Sequence, residues 1–593
     1  MGELDQIALH NCIPLLQDIT GVTVCDEWVQ AGNSNVWYLK LCYEIIVPTP
    51  SKYIIPKTNW LLTIDFSSDC VGKVAVYPGN GKDDLKVTFQ HQSFNGKSHP
   101  SLPCRIGNLC TSTGFDSLSA NRNASHIEPQ ATMPRIVWHI NRSLSWLKMA
   151  ANGTLSPPGS LFELPDFSFE PNIGNAILGY YEDENSLKTW QSSSCKTGIV
   201  ELKALYGKTS YIVSEYFDLK KSVSLYKPQW GTAIQQQSTT INAIWIRLDS
   251  LLLVNHYQVP STVQEFKIAL GTCGIDYDTL IDKTIRHLPK SGETLLVIGM
   301  PVPKVIDGLP VKYHWQALRI APPRLREMPQ AARISLIKHH LKMEKKNLEW
   351  ISKAENWHPD ELINRGALAA PLIDSKVLLI GAGALGSAIA EQLIRMGLRK
   401  LTIVDDDRFE SGNLVRHNLT MPDVSAKKVE ALVKRLIECN PSSIVEGLDK
   451  KVGDKIDKEL QLAFENADLV IDATADDALL RAMPVKGLNR EIPFISCSLS
   501  LYADRLFLYS SKANTFAFEN FEDWFAPFRE EQGLLAEQIE LPRTAGCWHP
   551  LTPARHNRIQ GLAGMAIEGI EQIAERNPVS VVRAVIQWPT TTI

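Results

Sequence analysis

The stretch KVLLIGAGALGSAIAEQLIRMG, residues 376–397, limits the fold more than any other part of the chain. An apolar run from Val377 to Ile380 leads straight into Gly381, Gly383 and Gly386, and a helix pattern begins at once. Glycines there permit a tight turn and a close approach of backbone to phosphate, and the helix N-terminus favours negative charge. A second strand, LTIVDDD, ends at Asp405, 19 residues after Gly386, where an acid can reach ribose hydroxyls. Strands and helices alternate onward, which predicts a parallel α/β sheet. A hydride-transferring dinucleotide enzyme and an ATP-using enzyme both satisfy these features.

The residues that follow separate the two. DDDRFESGNLVRHNL carries Asp407, Asn413 and Arg416 just past the second strand, SAKK adds Lys427 and Lys428, and a third strand, ADLVIDAT, ends before Asp476. Strand ends and their loops face the crevice of such a sheet. Two cations and a carboxylate then converge on the nucleotide phosphates. That set suits in-line attack on the α-phosphate of MgATP, with arginine and lysine neutralising developing charge and Asp476 holding the metal.

This stretch resembles the adenylation domain of ubiquitin-activating enzymes and their ThiF-type relatives in thiamine and molybdopterin synthesis. The family pattern maps onto Asp405, Asn413-Leu414-Val415-Arg416, Lys428 and Asp476, and Arg481 also fits. ATADD is one residue longer than the usual loop, so the pattern leaves Asp476 and Asp477 both open as the metal ligand. The resemblance implies ATP and Mg2+ as cofactors, bound by Gly381, Gly383, Gly386, Asp405, Asp407, Asn413, Arg416 and Lys428. It also implies a homodimer through this domain, with Arg365 as the residue that one subunit lends to the other.

An acyl-adenylate needs an acceptor, and the chain has eleven cysteines, none in a Cys-x-x-Cys pair. Free thiols are most often small core residues, which is the expectation for Cys439 and Cys497. Cys547, in PRTAGCWHPLTP after the nucleotide core, resembles the cysteine region of bacterial members of the group, which implies thioester formation there. The first segment reads as a helix at residues 3–17, strands at 36–47, 60–66, 72–78 and 85–91, an irregular stretch with Cys104 and Cys110, and a helix stopped at Gly153. That layout resembles ubiquitin-conjugating enzymes. KVTFQHQSFN and PCRIGNLC resemble a divergent bacterial kind, with Cys110 as acyl acceptor and Cys104 as its rival. The His-Pro-Asn of eukaryotic members is missing. His91, in Phe89-Gln90-His91, stands near, as a substitute or as a structural residue.

Pro-rich stretches at 154–172 and 321–333 suggest boundaries near 160 and 330. The expected fold is multidomain α/β and α+β: a ubiquitin-conjugating-like domain at 1–160, a strand-rich linker domain at 161–330 and a Rossmann-like adenylation domain at 331–593. The last opens on a charged helix spanning 330–356. Net charge is -4 from 61 basic and 65 acidic residues, which gives no footprint for nucleic acid or membrane. No apolar run nears the roughly 18 residues of a membrane span, and the acidic start lacks a signal pattern, so a cytoplasmic protein is expected.

As a whole the chain resembles the bacterial ubiquitin-conjugating/ubiquitin-activating-like fusions among the CD-NTase-associated proteins of CBASS antiphage operons. The resemblance implies that the C-terminus of a cGAS-like nucleotidyltransferase is carried to target lysines. A sulfur-carrier adenylyltransferase, an NAD-dependent oxidoreductase and an inactive scaffold are the alternatives.

Overall fold

The glycine-rich strand lies in the middle of a seven-stranded sheet, in the order Ile444–Leu448, Lys400–Val404, Lys376–Ile380, Leu469–Asp472, Ile492–Leu499, Arg505–Ala513, Val582–Gln587. The computed structural model describes residues 3–589 apart from 48–52, 68–69, 112–127, 171, 175, 208–209, 285–286, 288–293, 322–328, 454–456, 484–487, 539–553 and 577–580. The first five strands are parallel and the last two pair antiparallel. Numbered from Lys376, the parallel order is 3-2-1-4-5, the doubly wound arrangement. Its central strands carry Val377–Ile380 and Leu469–Ile471, apolar runs buried on both faces as a covered parallel sheet requires. The chain leaves Lys376–Ile380 to one side and Leu469–Asp472 returns on the other, so a crevice opens at the carboxyl ends of these two neighbours.

This sheet belongs to a unit made of Gln229–Ser238 and Trp357–Ile593. The other unit, Met1–Pro228 with Thr239–Asn356, holds two sheets. The first is antiparallel, with Val22–Val24, Val36–Glu44, Lys57–Asp65 and Lys73–Pro78 in that order and Val29–Gln30 alongside Val36–Glu44. Helices Glu3–Gln17 and Thr132–Asn152 bury Leu9, Leu16, Ile136, Ile140 and Leu147 against it. The second helix ends where Gly153 takes φ 69, and Thr154 N–H reaches back to Met149 O at 2.9 Å.

Two expectations change here. Residues 85–91 form no strand; Leu85 and Phe89 are buried from an irregular segment that packs on the sheet. The charged helix expected over 330–356 spans only Gln330–Lys342. Glu349–Trp350 and Lys353–Asn356 then become strands of a nine-stranded sheet with Ile177–Tyr180, Thr197–Ala204, Tyr211–Phe217, Ser224–Tyr226, Thr240–Arg247, Thr294–Pro303 and Pro310–Ala321. The fully buried Trp350 explains the switch, because it fills the core with Phe266 and Phe167. The segment expected to open the adenylation domain therefore completes the preceding one, and the boundary expected at 330 lies at 356. Among the described residues no helix is long and apolar enough to cross a membrane.

The other face of the nine-stranded sheet encloses Glu182, whose carboxylate accepts from Trp190 Nε1 at 2.8 Å, Trp315 Nε1 at 2.7 Å and the Ser186 hydroxyl. Burial pushes Glu182 up to about 7, against the pull of these three donors. A carboxyl group with a raised folded-state pKa binds its proton more tightly when folded. Stability is therefore lost as pH rises from the ordinary value of 4.5 through about 7. Glu182→Gln should flatten this dependence: the loss of melting temperature between pH 5 and pH 8 should be smaller than in the wild type. Glu182→Ala strands two buried indole N–H groups and should cost about 3 kcal/mol. An unchanged pH dependence in the Gln variant counts against the assignment.

Candidate functional site

The turn after Lys376–Ile380 is dictated by atoms that leave no room for side chains. A Cβ on Gly386 would lie 1.9 Å from the Gly381 carbonyl oxygen, and one on Gly381, at φ 95, would lie 2.8 Å from Thr474. Both glycines let the strand, the helix Ala384–Arg395 and the 473–475 turn close on one another. Gly383 differs, because a Cβ there would meet nothing within 4 Å. It faces the crevice as the N-cap of that helix.

The turn is held from beneath. Asp405 Oδ2 accepts from Ala382 N–H at 2.6 Å and Oδ1 from Asp407 N–H at 2.8 Å, so this acid ties the glycine loop to the end of the second strand. His417 holds the other side. Its Nε2 is 2.6 Å from Ala382 O while Nδ1 accepts from Leu419 N–H at 3.0 Å, which fixes one neutral tautomer. Burial lowers its pKa to about 4. Sequence reading passed over His417, although its place directly after Arg416 was a signal.

Gly383, Asn413, Arg416, His417, Lys428, Ala473, Thr474 and Ala475 line one cleft of about 280 Å³ at the switch point, with Cys497 and Ser498 in its wall. Asn413 Oδ1 accepts from Glu410 N–H at 3.0 Å, closing the turn that presents Arg416. Lys428 is the first residue of helix Lys428–Ile437, and its Nζ lies 2.7 Å from Asp407 Oδ2 with little exposure. Asp476 follows the lining residues directly. Its Oδ1 accepts from Ala478 and Leu479 N–H at 2.9 and 3.3 Å, capping helix Asp477–Ala482. Asp477 pairs instead with Arg529 at 2.7 Å, and Arg481 lies over the Phe518 ring at 4.6 Å. Asp472, beneath the turn, is fully enclosed; burial raises it to about 6 while Thr474 and Ser496 donate to it. Cys497 is buried, as expected, and Cys439 is partly so. Cys547 lies outside the described residues, as does the side chain of Arg365.

A second candidate site lies in the other unit. Cys110 is exposed, whereas Cys104 is sealed in and burial pushes its thiol up to about 12, which leaves Cys104 a poor nucleophile. The chain around Cys110 is braced on two sides. Its N–H donates to His91 O at 2.8 Å, next to the bridge between Gln92 and Leu109. Directly after it, Thr111 Oγ1 meets Nδ1 of the buried His139 at 2.6 Å, and His139 Nε2 lies 3.0 Å from Glu128 Oε1. His91 has φ 56, and Glu163 from beyond the first sheet domain accepts from its N–H at 2.8 Å and lies 3.0 Å from its Nδ1.

Comparison with known proteins agrees with this layout. Residues 153–357 match the Cap2 central linker domain and residues 364–523 the ThiF family. Over 568 residues the chain is 29% identical to the ATP-dependent ubiquitin transferase-like protein Cap2 of Enterobacter hormaechei subsp. hoffmannii, covering 93% of this chain and 92% of that protein. It is 31% identical over 128 residues to the sulfur carrier protein ThiS adenylyltransferase of Escherichia coli, covering 21% of this chain and 50% of that one. The Escherichia coli molybdopterin-synthase adenylyltransferase is 30% identical over 126 residues, covering 21% and 49%. The ThiF match decides between the two readings that the glycine motif left open, in favour of adenylation over hydride transfer.

The glycines make separable predictions. Gly386→Ala should force the turn open and destabilise the unit by about 2 kcal/mol, as overpacking does. Gly383→Ala should melt like the wild type yet bind ATP about ten-fold more weakly, about 1.4 kcal/mol. Thermal melts and titration calorimetry read both. Equal melting losses in the two variants would count against the division.

Proposed function

We propose that this chain, an ATP-dependent ubiquitin transferase-like enzyme with a ThiF adenylation domain and a Cap2 central linker domain, activates a protein C-terminus and passes it through two cysteine thioesters to an amine. The observation that carries the reading is the cleft where the glycine loop, Arg416 and Lys428 meet at the switch point.

The cargo carboxylate attacks the α-phosphate of ATP, giving an acyl-adenylate and pyrophosphate. Gly383 leaves room for the phosphates beside backbone N–H groups, and Arg416 and Lys428 offset the charge that grows as pyrophosphate departs. Asp476 and the nucleotide's own phosphates would hold a magnesium ion, which neutralises phosphate charge. The donor set suits that ion, since magnesium takes one or two carboxylates plus phosphate oxygens and keeps its waters. Asp476 is the better ligand because Asp477 is committed to Arg529. Cys547 then displaces AMP, Cys110 takes the acyl group by transthiolation, and a lysine amine of the target receives it. The first sheet domain is read as ubiquitin-conjugating-like. The C-terminus of a cGAS-like nucleotidyltransferase as cargo, a role in antiphage defence, a cytoplasmic site of action and a homodimer through the adenylation domain belong to the same reading. Sulfur-carrier activation is less favoured, because those relatives align with only 21% of the chain.

Asp476→Ala should abolish cargo-dependent ATP–pyrophosphate exchange. Arg416→Ala should slow exchange by orders of magnitude while changing ATP affinity little, since its contact strengthens in the transition state. Exchange near the wild-type rate in the first, or a change confined to ATP affinity in the second, rejects the role given.

The thiols should load in order. Cys110→Ala should leave a reducible cargo thioester on Cys547, and Cys547→Ala should form adenylate yet neither thioester. Non-reducing gels with ATP and cargo test the relay. A thioester on Cys110 in the Cys547→Ala protein would overturn it.

A further inference from the structure

The linker sheet carries a segment that reaches the Cys110 site. Gly159 N–H donates to Ile306 O at 3.1 Å, Ile306 N–H to Ser160 O at 2.8 Å and Phe162 N–H to Lys304 O at 3.2 Å. These bonds fasten residues 159–162 along the segment 304–306 that directly follows the linker strand Thr294–Pro303. Glu163 comes next, and its carbonyl accepts from the Tyr257 hydroxyl. Tyr257 N–H in turn donates to Thr88 O at 3.0 Å, and the His256 ring lies 4.3 Å from that of Phe89. Three residues on, Asp166 Oδ2 accepts from Phe94 N–H at 3.0 Å. The linker therefore grips the 88–94 segment at several points, and Glu163 sits among them.

What Glu163 does there is specific. One carboxylate oxygen, Oε2, meets both the backbone N–H of His91 and its ring Nδ1. The backbone bond secures a residue at φ 56, in the left-handed region that residues other than glycine adopt uncommonly. The ring bond places the proton on Nδ1, which leaves Nε2 with the lone pair. His91 and Glu163 both stay about half exposed, so a substrate amine can approach. The carbonyl of the same His91 receives the Cys110 N–H at 2.8 Å, which places the imidazole and the thiol on neighbouring, directly bonded residues.

We propose that Glu163 of the linker domain is a positioning residue that holds His91 as the base for aminolysis at Cys110. The proposal rests on the reading of Cys110 as acyl acceptor. The amine nitrogen attacks the thioester carbonyl and a C–N bond forms. The amine proton passes to His91 Nε2, the C–S bond breaks, and its electron pair leaves on the Cys110 thiolate. Glu163 stabilises the imidazolium, which then returns its proton to water. The asparagine of the usual conjugating motif is replaced in this account by a carboxylate–imidazole pair, one half of which comes from a different domain.

The test uses the full chain carrying Cys547→Ala. The probe is a short fluorescent glycine-terminated peptide, supplied as its mercaptoethanesulfonate thioester, with Cys110→Ala as the blank. Loading on Cys110 and discharge to free lysine are measured separately. Glu163→Gln keeps an acceptor for the backbone N–H but loses the charge. It should load Cys110 as the parent does and melt at the same temperature. Its kcat for discharge should fall about ten-fold with an unchanged KM for lysine, a modest share of what a positioned base supplies. Adding Glu163→Gln to His91→Ala should cost nothing further, and imidazole in the buffer should restore discharge in His91→Ala. Discharge at the parent rate in Glu163→Gln, equal losses in loading and discharge, or additive effects of the two substitutions would overturn the proposal. A parent protein that holds no thioester on Cys110 would overturn the acceptor reading itself, and the proposal with it.

Discussion

A side chain on residue 386 would need the space taken by the carbonyl oxygen of Gly381. Everything at the crevice depends on that contact. It lets the helix Ala384–Arg395 begin where the strand ends, so that the first helical N–H groups face the crevice. The same closeness brings the 473–475 turn against Gly381, which draws the loop before Asp476 toward the loop carrying Arg416. Asp405 and His417 then lock the peptide of Ala382 from both ends, one accepting its N–H and the other bonding its carbonyl. A phosphate-binding loop that must present backbone dipoles gains from such bracing, since fixed dipoles need no reorganisation when charge arrives.

The Cys110 site is organised differently. No glycine turn or helix terminus defines it among the described residues. The cysteine instead lies between two imidazole–carboxylate pairs, His91 with Glu163 and His139 with Glu128. In the second pair His139 is buried and Glu128 only partly so: burial lowers the pKa of His139, and the ring is spanned by Thr111 and Glu128. The first pair is open to solvent. The backbone of the irregular segment that carries the thiol is held by the bond from Cys110 N–H to His91 O and by the Gln92–Leu109 bridge, while Thr111 is tied through its side chain to His139.

How much of this was legible depended on sequence distance. The strand–glycine–helix unit, the Asn413–Arg416 turn and Lys428 were readable because each is a local device, with its requirements met within a few residues. The 85–91 segment misled because its alternation mimics a strand. Leu85 and Phe89 are indeed buried, but the backbone is irregular, and Thr88 and Gln92 bond to side chains and loops instead. Lys353–Asn356 misled in the opposite sense. It pairs with Ile177–Tyr180, so remote in sequence that a charged segment gave no hint of a strand. Glu163 was invisible for the same reason, lying 72 residues from its partner His91.

The ion pair of Lys428 with Asp407 bears on how the adenylation reading works physically. A lysine waiting alone beside a phosphate site would fold back or wander, and ordering it would cost side-chain entropy of roughly 1.5–2 kcal/mol when the nucleotide arrived. Here Nζ is already little exposed and held 2.7 Å from Asp407 Oδ2, while the Lys428 N–H donates to Asp407 O at 2.9 Å. Part of the entropy and of the desolvation is therefore spent on folding. An exposed carboxylate is a weak competitor, because Asp407 keeps most of its hydration and surface pairs contribute about 0–1 kcal/mol. A triphosphate brings several negative charges into a half-enclosed cleft, where the attraction is larger. On this reading Lys428 exchanges one anion for a stronger one over a short path. On the same reading Asp407, whose ion pair among the described residues is with Lys428, keeps the lysine in place until the nucleotide arrives.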